Sequence, residues 1–198
     1  PMNMHDASAA ISTVNLTKRY GEFTALSEAS ISVPLGTIYG FLGPNGAGKT
    51  TTIRLLMGFI TATSGEARIF GHDCWQDGLA ARAELGFLVT ADALYSDMSG
   101  LSQLDYAAKL SKREPVLRDQ LLDALELSRD ALKRKLGSYS KGMRQKLALI
   151  VAMQHDPALL ILDEPTDGLD PLIQRNFEDF LISLRDQGRT IFMSSHDL

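Results

Sequence analysis

One cysteine, Cys74, is the entire thiol complement of the 198 residues. An internal disulfide framework is therefore excluded, and so is a cysteine metal cluster. A reducing compartment suits such a chain. Long hydrophobic runs are missing as well. The longest uniform stretch, Leu147 to Met153, lies between Lys146 and Gln154, well short of the ~20 apolar residues a membrane helix needs. Pro1 to Asp6 lack the basic start and apolar centre of a signal peptide, and residues 1–9 read as a tail outside the fold. Charge of one sign is scarce too: the formal net charge is -4. That balance disfavours nonspecific association with duplex DNA or an anionic membrane, so no nucleic-acid partner is expected. No internal repeat or low-complexity linker is evident. What remains, 44% hydrophobic and 22% charged residues, suits a soluble globular domain with one good core or two small subdomains.

The most informative stretch is Gly43-Pro44-Asn45-Gly46-Ala47-Gly48-Lys49-Thr50-Thr51. It fits the spacing Gly, four residues, Gly-Lys-Ser/Thr. An apolar run, Ile38 to Leu42, precedes it, and an amphipathic run, Ile53 to Met57, follows. Strand, glycine-rich turn and helix are thus expected in that order. Glycines reach backbone angles closed to other residues, so the turn can wrap N–H groups around phosphate oxygens. The helix adds its partly positive N-terminus. In that arrangement Lys49 reaches the outer phosphates and Thr50 ligates Mg²⁺.

Around this stretch the pattern predicts an α/β fold. Residues 10–42 read as β structure, with Ile31 and Val33 alternating with Ser30 and Ser32. Thr63-Ser64-Gly65 reads as a turn, Ala67 to Phe70 as a short strand, Asp77 to Leu85 as a short helix and Gly86 to Val89 as a strand. Residues ~99–156 read as mostly helical. Leu101 and Leu104 share a face behind a Ser99 cap. Pro115 suits a first helical position, with Leu117, Leu121, Leu122 and Leu125 behind it. Lys133-Arg134-Lys135 reads as a solvated surface. Met143 to Gln154 is a further helix. Leu159 to Leu162 is the continuous apolar run of a strand buried on both faces. It delivers Asp163 to the sheet edge as a holder of nucleotide-bound Mg²⁺, directly or through water, with Glu164 beside it to polarise an attacking water. Pro171 opens a helix behind an Asp170 cap, and Thr190 to Ser194 is the last strand. His5, His72, His155, Cys74 and Trp75 read as packing or surface residues.

Several motifs in this order make the chain similar to the nucleotide-binding domain of ABC transporter ATPases, over residues ~10–198. Gly43 to Thr51 resembles Walker A, and Leu159 to Glu164 resembles Walker B with its glutamate. Ser140-Lys141-Gly142-Met143-Arg144-Gln145 stands where the family has its signature motif. Asp167-Gly168-Leu169-Asp170 resembles the D-loop, and Ser195-His196 the switch histidine. Tyr20 stands in the place of an aromatic residue that stacks on adenine. The wording is most similar to the separate ATPase subunits of ABC-2 type exporters, the daunorubicin-resistance-like branch. The resemblance implies a P-loop NTPase core (10–89 and 157–198) with an N-terminal antiparallel β subdomain and an inserted α-helical subdomain (90–156). It implies ATP and Mg²⁺ as ligands. It also implies a head-to-tail homodimer or heterodimer in which one copy's signature meets the other's ATP. An integral membrane permease would be the partner, placing the chain on the inner face of the cell membrane. Catalytic roles fall to Lys49, Glu164 and His196. Ser140 and Asp170 equally read as ordinary helix caps, and Tyr20 as a residue packed at a strand end.

Three departures from the family pattern stand out. Val89-Thr90 lies where Pro-Gln or Pro-Glu is common, at the loop that touches Mg²⁺ and meets the membrane subunit. The shorter Thr90 predicts weaker coupling and slower hydrolysis. Lys141 replaces a glycine and Met143 a glutamine; Lys141 either adds charge near the opposing phosphate or is simply solvated. The sequence stops two residues after His196, where family members continue with a helix. Two other readings remain open: a regulatory or assembly ABC protein with little turnover, and a soluble ABC ATPase outside transport.

Overall fold

A computed structural model describes residues 9–88 and 90–195. Two four-stranded sheets organise them. β1 (Ala9–Tyr20) and β2 (Phe23–Pro34) form a hairpin closed at Gly21-Glu22, and Gly21 takes the left-handed φ of 57° that the tight turn demands. β4 (Ser64–Ile69) pairs with the other edge of β1, and β5 (His72–Asp73) with β4, giving the antiparallel order β2-β1-β4-β5. The second sheet is wholly parallel. β3 (Ile38–Leu42), β6 (Leu85–Phe87), β7 (Leu159–Asp163) and β8 (Thr190–Ser195) lie in the order β3-β8-β7-β6.

Six helices complete the described fold. α1 (Lys49–Leu56) follows β3, and the four-residue α2 (Gly78–Ala81) precedes β6. α3 (Gly100–Ser111), α4 (Arg118–Ala124) and α5 (Lys141–Met153) all fall between β6 and β7. α6 (Pro171–Asp186) joins β7 to β8.

β7 explains how the layers hold together. Leu159 and Ile161 enter one core with Ile11, Leu16, Ile53, Leu56 and Phe192, which fills the space between the two sheets around α1. Leu160 and Leu162 point the other way, into a core with Leu147, Ile150, Phe177 and Leu181 from α5 and α6. A strand buried on both faces has no room for alternation, hence the unbroken apolar run. Each such side chain contributes about 1.5–3 kcal/mol by leaving water. Cys74 is 1% exposed, and burial, reinforced by Asp73, pushes its thiol up to about 12, which leaves it an inert packing residue.

Four local expectations are corrected. Ser64 and Gly65 open β4 instead of forming a turn. The left-handed φ of Gly65 (84°) brings its backbone against β1, where a Cβ would stand 2.3 Å from the Asn15 carbonyl oxygen. The helix expected over 77–85 shrinks to Gly78–Ala81, because Leu85 is taken by the sheet, pairing with Leu159. Pro115 lies outside α4; Arg118 N–H closes a turn on the Pro115 carbonyl and Leu117 is the cap. Leu101 is 44% exposed, and Gln103 takes an inner position beside Leu104, its Oε1 accepting from Tyr95 N–H. The Ser99 and Asp170 caps, the four leucines of the α4 region and the solvated 133–135 cluster are as expected.

Candidate nucleotide-binding site

The turn between β3 and α1 is built by its glycines. Gly46 and Gly48 have φ of 84° and 89°. At Gly48 space is also short: a Cβ would lie 2.9 Å from the Ala25 carbonyl oxygen and 3.0 Å from Leu26 Cδ1. Gly48 is the N-cap of α1, and no side chain caps that end. A helix N-terminus left without a side-chain cap keeps its first N–H groups available to an anion. Lys49 is 7% exposed, yet its ammonium is held only by carbonyls, those of Gly43 and of Pro44 at 3.3 Å. A buried cation among neutral acceptors is matched to a polyanion.

The next residue reaches the other half of the site. Thr50 Oγ1 donates to Asp163 Oδ2 at 3.4 Å. The second oxygen of Asp163 accepts from the Ser194 hydroxyl. That hydroxyl also accepts from the Glu164 backbone N–H at 3.1 Å, with Glu164 held at a φ of 48°. A hydroxyl and a carboxylate are hard oxygen donors of the kind Mg²⁺ takes. No cluster of three or more His, Cys, Asp or Glu exists among the described residues.

Beyond Thr50 and Asp163 opens a cleft of about 970 Å³. Thr50, Arg54, Asp163 and Glu164 line one side of it; Thr90, Asp92, Lys141 and Arg144 line it as well. Thr90 therefore shares a cleft with the carboxylates Asp163 and Glu164. The glycines of the phosphate turn and Tyr20 are not part of this cleft. Tyr20 stands at the β1–β2 turn, 50% exposed, so it is not a core packing residue. Lys18 Nζ sits 4.9 Å from its ring centroid and donates to the Thr61 carbonyl at 2.7 Å.

At the start of α5, Ser140 is a true cap, its hydroxyl accepting from Met143 N–H at 3.2 Å. Lys141 is solvent-exposed and makes an ion pair with Asp167 of its own chain at 2.9 Å. Gly142 is half-buried against Gly168, whose φ is 74°. Leu169 is buried, and Asp170 caps α6 through Ile173 N–H at 3.1 Å. His196 lies outside the described residues; Ser195, the last of them, pairs with Leu42 at the end of β3.

The family model described as ABC transporter matches residues 26–167. The chain belongs to the ABC transporter family. The bacitracin transport ATP-binding protein of Bacillus licheniformis is 40% identical over 195 residues, covering 96% of this chain and 63% of that protein. A daunorubicin resistance ATP-binding protein of Streptomyces coeruleorubidus is 35% identical, covering 97% of this chain and 62% of the relative. The chain thus spans about three-fifths of the length of these relatives. Among solved structures, one titled as the ATP binding subunit of an ABC transporter superposes with a TM-score of 0.86 at 26% identity, covering 96% of this chain and 80% of that one. A dimeric bacterial ABC transporter cassette gives 0.84 at 24% identity, over 94% and 88%, and shares the fold. Among the described residues of this ABC protein, no helix is long and apolar enough to cross a membrane.

Sequence reasoning missed Ser194 and gave Gln145 no role of its own within the signature stretch. Ser194 joins Asp163 to the Glu164 backbone, and register puts it directly beside Asp163. Its signal was the first of two serines that close the apolar run Ile191 to Met193. Gln145, 8% exposed, donates from Nε2 to the Pro165 carbonyl at 2.9 Å. Its signal was an amide on the otherwise apolar buried face of α5.

Proposed function

We propose that the chain binds and hydrolyses ATP and thereby powers export through a separate membrane-spanning partner. The observation that carries this reading is the buried Lys49 ammonium, held by carbonyls alone beside an uncapped helix end, with Thr50 and Asp163 converging next to it. In this reading Gly43, Pro44, Asn45, Gly46, Ala47 and Gly48 present backbone N–H groups to the phosphates, with Thr51 in the first turn of α1. Lys49 leaves the two carbonyls for the outer phosphates. Thr50 and Asp163 would hold Mg²⁺, which would supply charge neutralisation at the phosphates. Glu164 accepts a proton from the attacking water, and the Ser194 bond to its backbone keeps it beside Asp163. His196 contacts the terminal phosphate. Tyr20 stacks on adenine with the ring face that Lys18 leaves open.

The site is completed by a second copy or a related subunit, which offers Ser140, Gly142 and Met143 of its 140–143 segment to the phosphates and Gly168 to Asp170 to the interface. Residues 90–156 act as a helical subdomain that turns against the core of 10–89 and 157–198. The loop at Thr90 meets the membrane partner, which places the chain at the cytoplasmic face of the membrane. The relatives' names, bacitracin transport and daunorubicin resistance, support export as the work done. The exposed Thr90 in the cleft favours one second reading, a nucleotide-dependent regulatory subunit with little turnover.

Phosphate release by the full-length protein, with and without Glu164→Gln, tests the proposal. The parent should turn over at least about 100-fold faster than the variant, the scale of general-base catalysis, while both bind ATP. Phosphate release no faster than background in both would overturn hydrolysis and leave the regulatory reading, and equal rates above background would remove Glu164 as the base.

A further inference from the structure

The first turns of α5 grip the segment between β7 and α6 at several points. Lys141 Nζ donates to Asp167 Oδ2 at 2.9 Å. The stem of Lys141 runs along Gly168, where an added Cβ would lie 3.5 Å from Lys141 Cε and 3.6 Å from Cδ. Gly142 fits under the same turn so closely that a Cβ would stand 2.9 Å from the Gly168 carbonyl oxygen. Further along the helix, buried Gln145 holds the Pro165 carbonyl at 2.9 Å. From the other side, Gln174 of α6 holds the Leu169 carbonyl at 3.0 Å and the Thr166 carbonyl at 3.4 Å.

We propose that Lys141 is a positioning residue that locks the 165–169 turn to α5 through Asp167, so that the signature segment and the turn move as one block. The inference rests on the reading of the chain as an ATPase that works in pairs. The two glutamines fix the carbonyls of the turn, and the ion pair fixes the direction of its tip at Gly168. Both side chains of the pair are exposed, 73% and 58%, so the pair adds little to global stability. Its effect is geometric. A lysine spent on its own chain's Asp167 is a different device from one reaching across to another copy's phosphate, because only the first requires Asp167.

ATP turnover by the full-length protein at varied Mg-ATP separates the two, using K141A, D167A, the double variant K141A/D167A and K141R. Each single alanine variant should lower kcat by about two- to fivefold, the range open to an exposed pair, with KM changed by less than about twofold. The double variant should be no slower than the slower single one, and K141R should recover most of the loss. Three results would overturn the proposal: losses that multiply in the double variant, parent-like rates in both singles, or a raised KM in K141A alone with D167A unaffected. A parent without turnover would defeat the ATPase reading instead. Hydrogen exchange of the nucleotide-free chain then decides, since the amides of Asp167, Gly168 and Leu169 should exchange faster in K141A and D167A alike. Parent-like exchange in either variant would sink the lock.

Discussion

Thr90 is the residue at which this site departs most from what its neighbours are equipped to do. It is exposed in the same cleft as Thr50, Asp163 and Glu164, yet it carries one hydroxyl on a short stem. A glutamine there would extend two polar groups further into the cleft and could orient a water or a hydrated cation held at Asp163. A hydrogen bond to a charged group is worth about 1.5–3 kcal/mol. Thr90→Gln should therefore raise kcat at saturating Mg-ATP by about tenfold or more, measured as phosphate release. A variant no faster than the parent would show that the loop is already competent. Gly48 illustrates the opposite case, a residue with no latitude. Its φ of 89° and the Ala25 carbonyl facing it leave room only for hydrogen. That constraint was legible in the motif spacing, since a turn that wraps phosphate needs glycine at such points. The role of Ser194 was not legible. Its hydroxyl gains meaning only when parallel pairing sets it against Asp163.

At the scale of elements, β6 and α5 are held together by another missing side chain. A Cβ on Gly86 would stand 2.3 Å from the Ala152 carbonyl oxygen, 2.7 Å from Pro157 Cγ and 2.8 Å from Leu160 Cδ2. The first contact is helix backbone, which cannot swing aside. Overpacking of this kind costs about 1–3 kcal/mol. Gly86→Ala should lower the urea midpoint accordingly with an unchanged slope. Gly40→Ala is the control, because a Cβ there would meet only Leu42 side-chain atoms, at 3.9 Å; equal midpoints for the two variants would refute the packing argument. Elements with one strong physical signature were readable in advance. β7 showed its two-sided burial as an unbroken apolar run, and α6 its start as Asp170-Pro171. Elements set by tertiary contact were not. Ser64-Gly65 looks like a turn in isolation, but the close approach to Asn15 makes it the start of β4. Pro115 looks like a helix start, but Leu117 N–H is taken by the Gln154 carbonyl of another element, and α4 begins only after it.

For the molecule as a whole, two ion pairs and a histidine between them tie separate stretches of chain together outside the cleft. Glu84 pairs with Arg113, joining the segment before β6 to the end of α3. Asp156 pairs with Arg189, whose Nε donates at 2.8 Å, joining the approaches to β7 and β8. Between them His155 places Nε2 at 3.4 Å from the Leu85 carbonyl oxygen. Burial, more than any neighbour, holds the His155 imidazole below its ordinary 6.5. The Arg113 charge acts in the same direction, and the Leu85 hydrogen bond, Asp156 and Glu84 oppose it. The bond to Arg113 lowers Glu84 from its ordinary 4.5, and the bond to Arg189 lowers Asp156 from 3.8. In all three cases the unfolded chain binds its proton at a higher pH than the folded chain does. Stability therefore rises with pH across each window. The His155 contribution is whole above 6.5 and is lost as pH falls through the depressed folded value. The two carboxylates add to the loss only below their ordinary values. The melting temperature should consequently fall between pH 7.5 and pH 5.5, a range in which His155 is the group responsible. His155→Asn, which keeps a donor for the Leu85 carbonyl and carries no charge, should flatten that fall while leaving the steeper acid limb below pH 4.5 in place. A variant with the same slope as the parent between pH 7.5 and 5.5 would show that His155 is hydrated when folded and exerts no hold on the joint between β6 and α5.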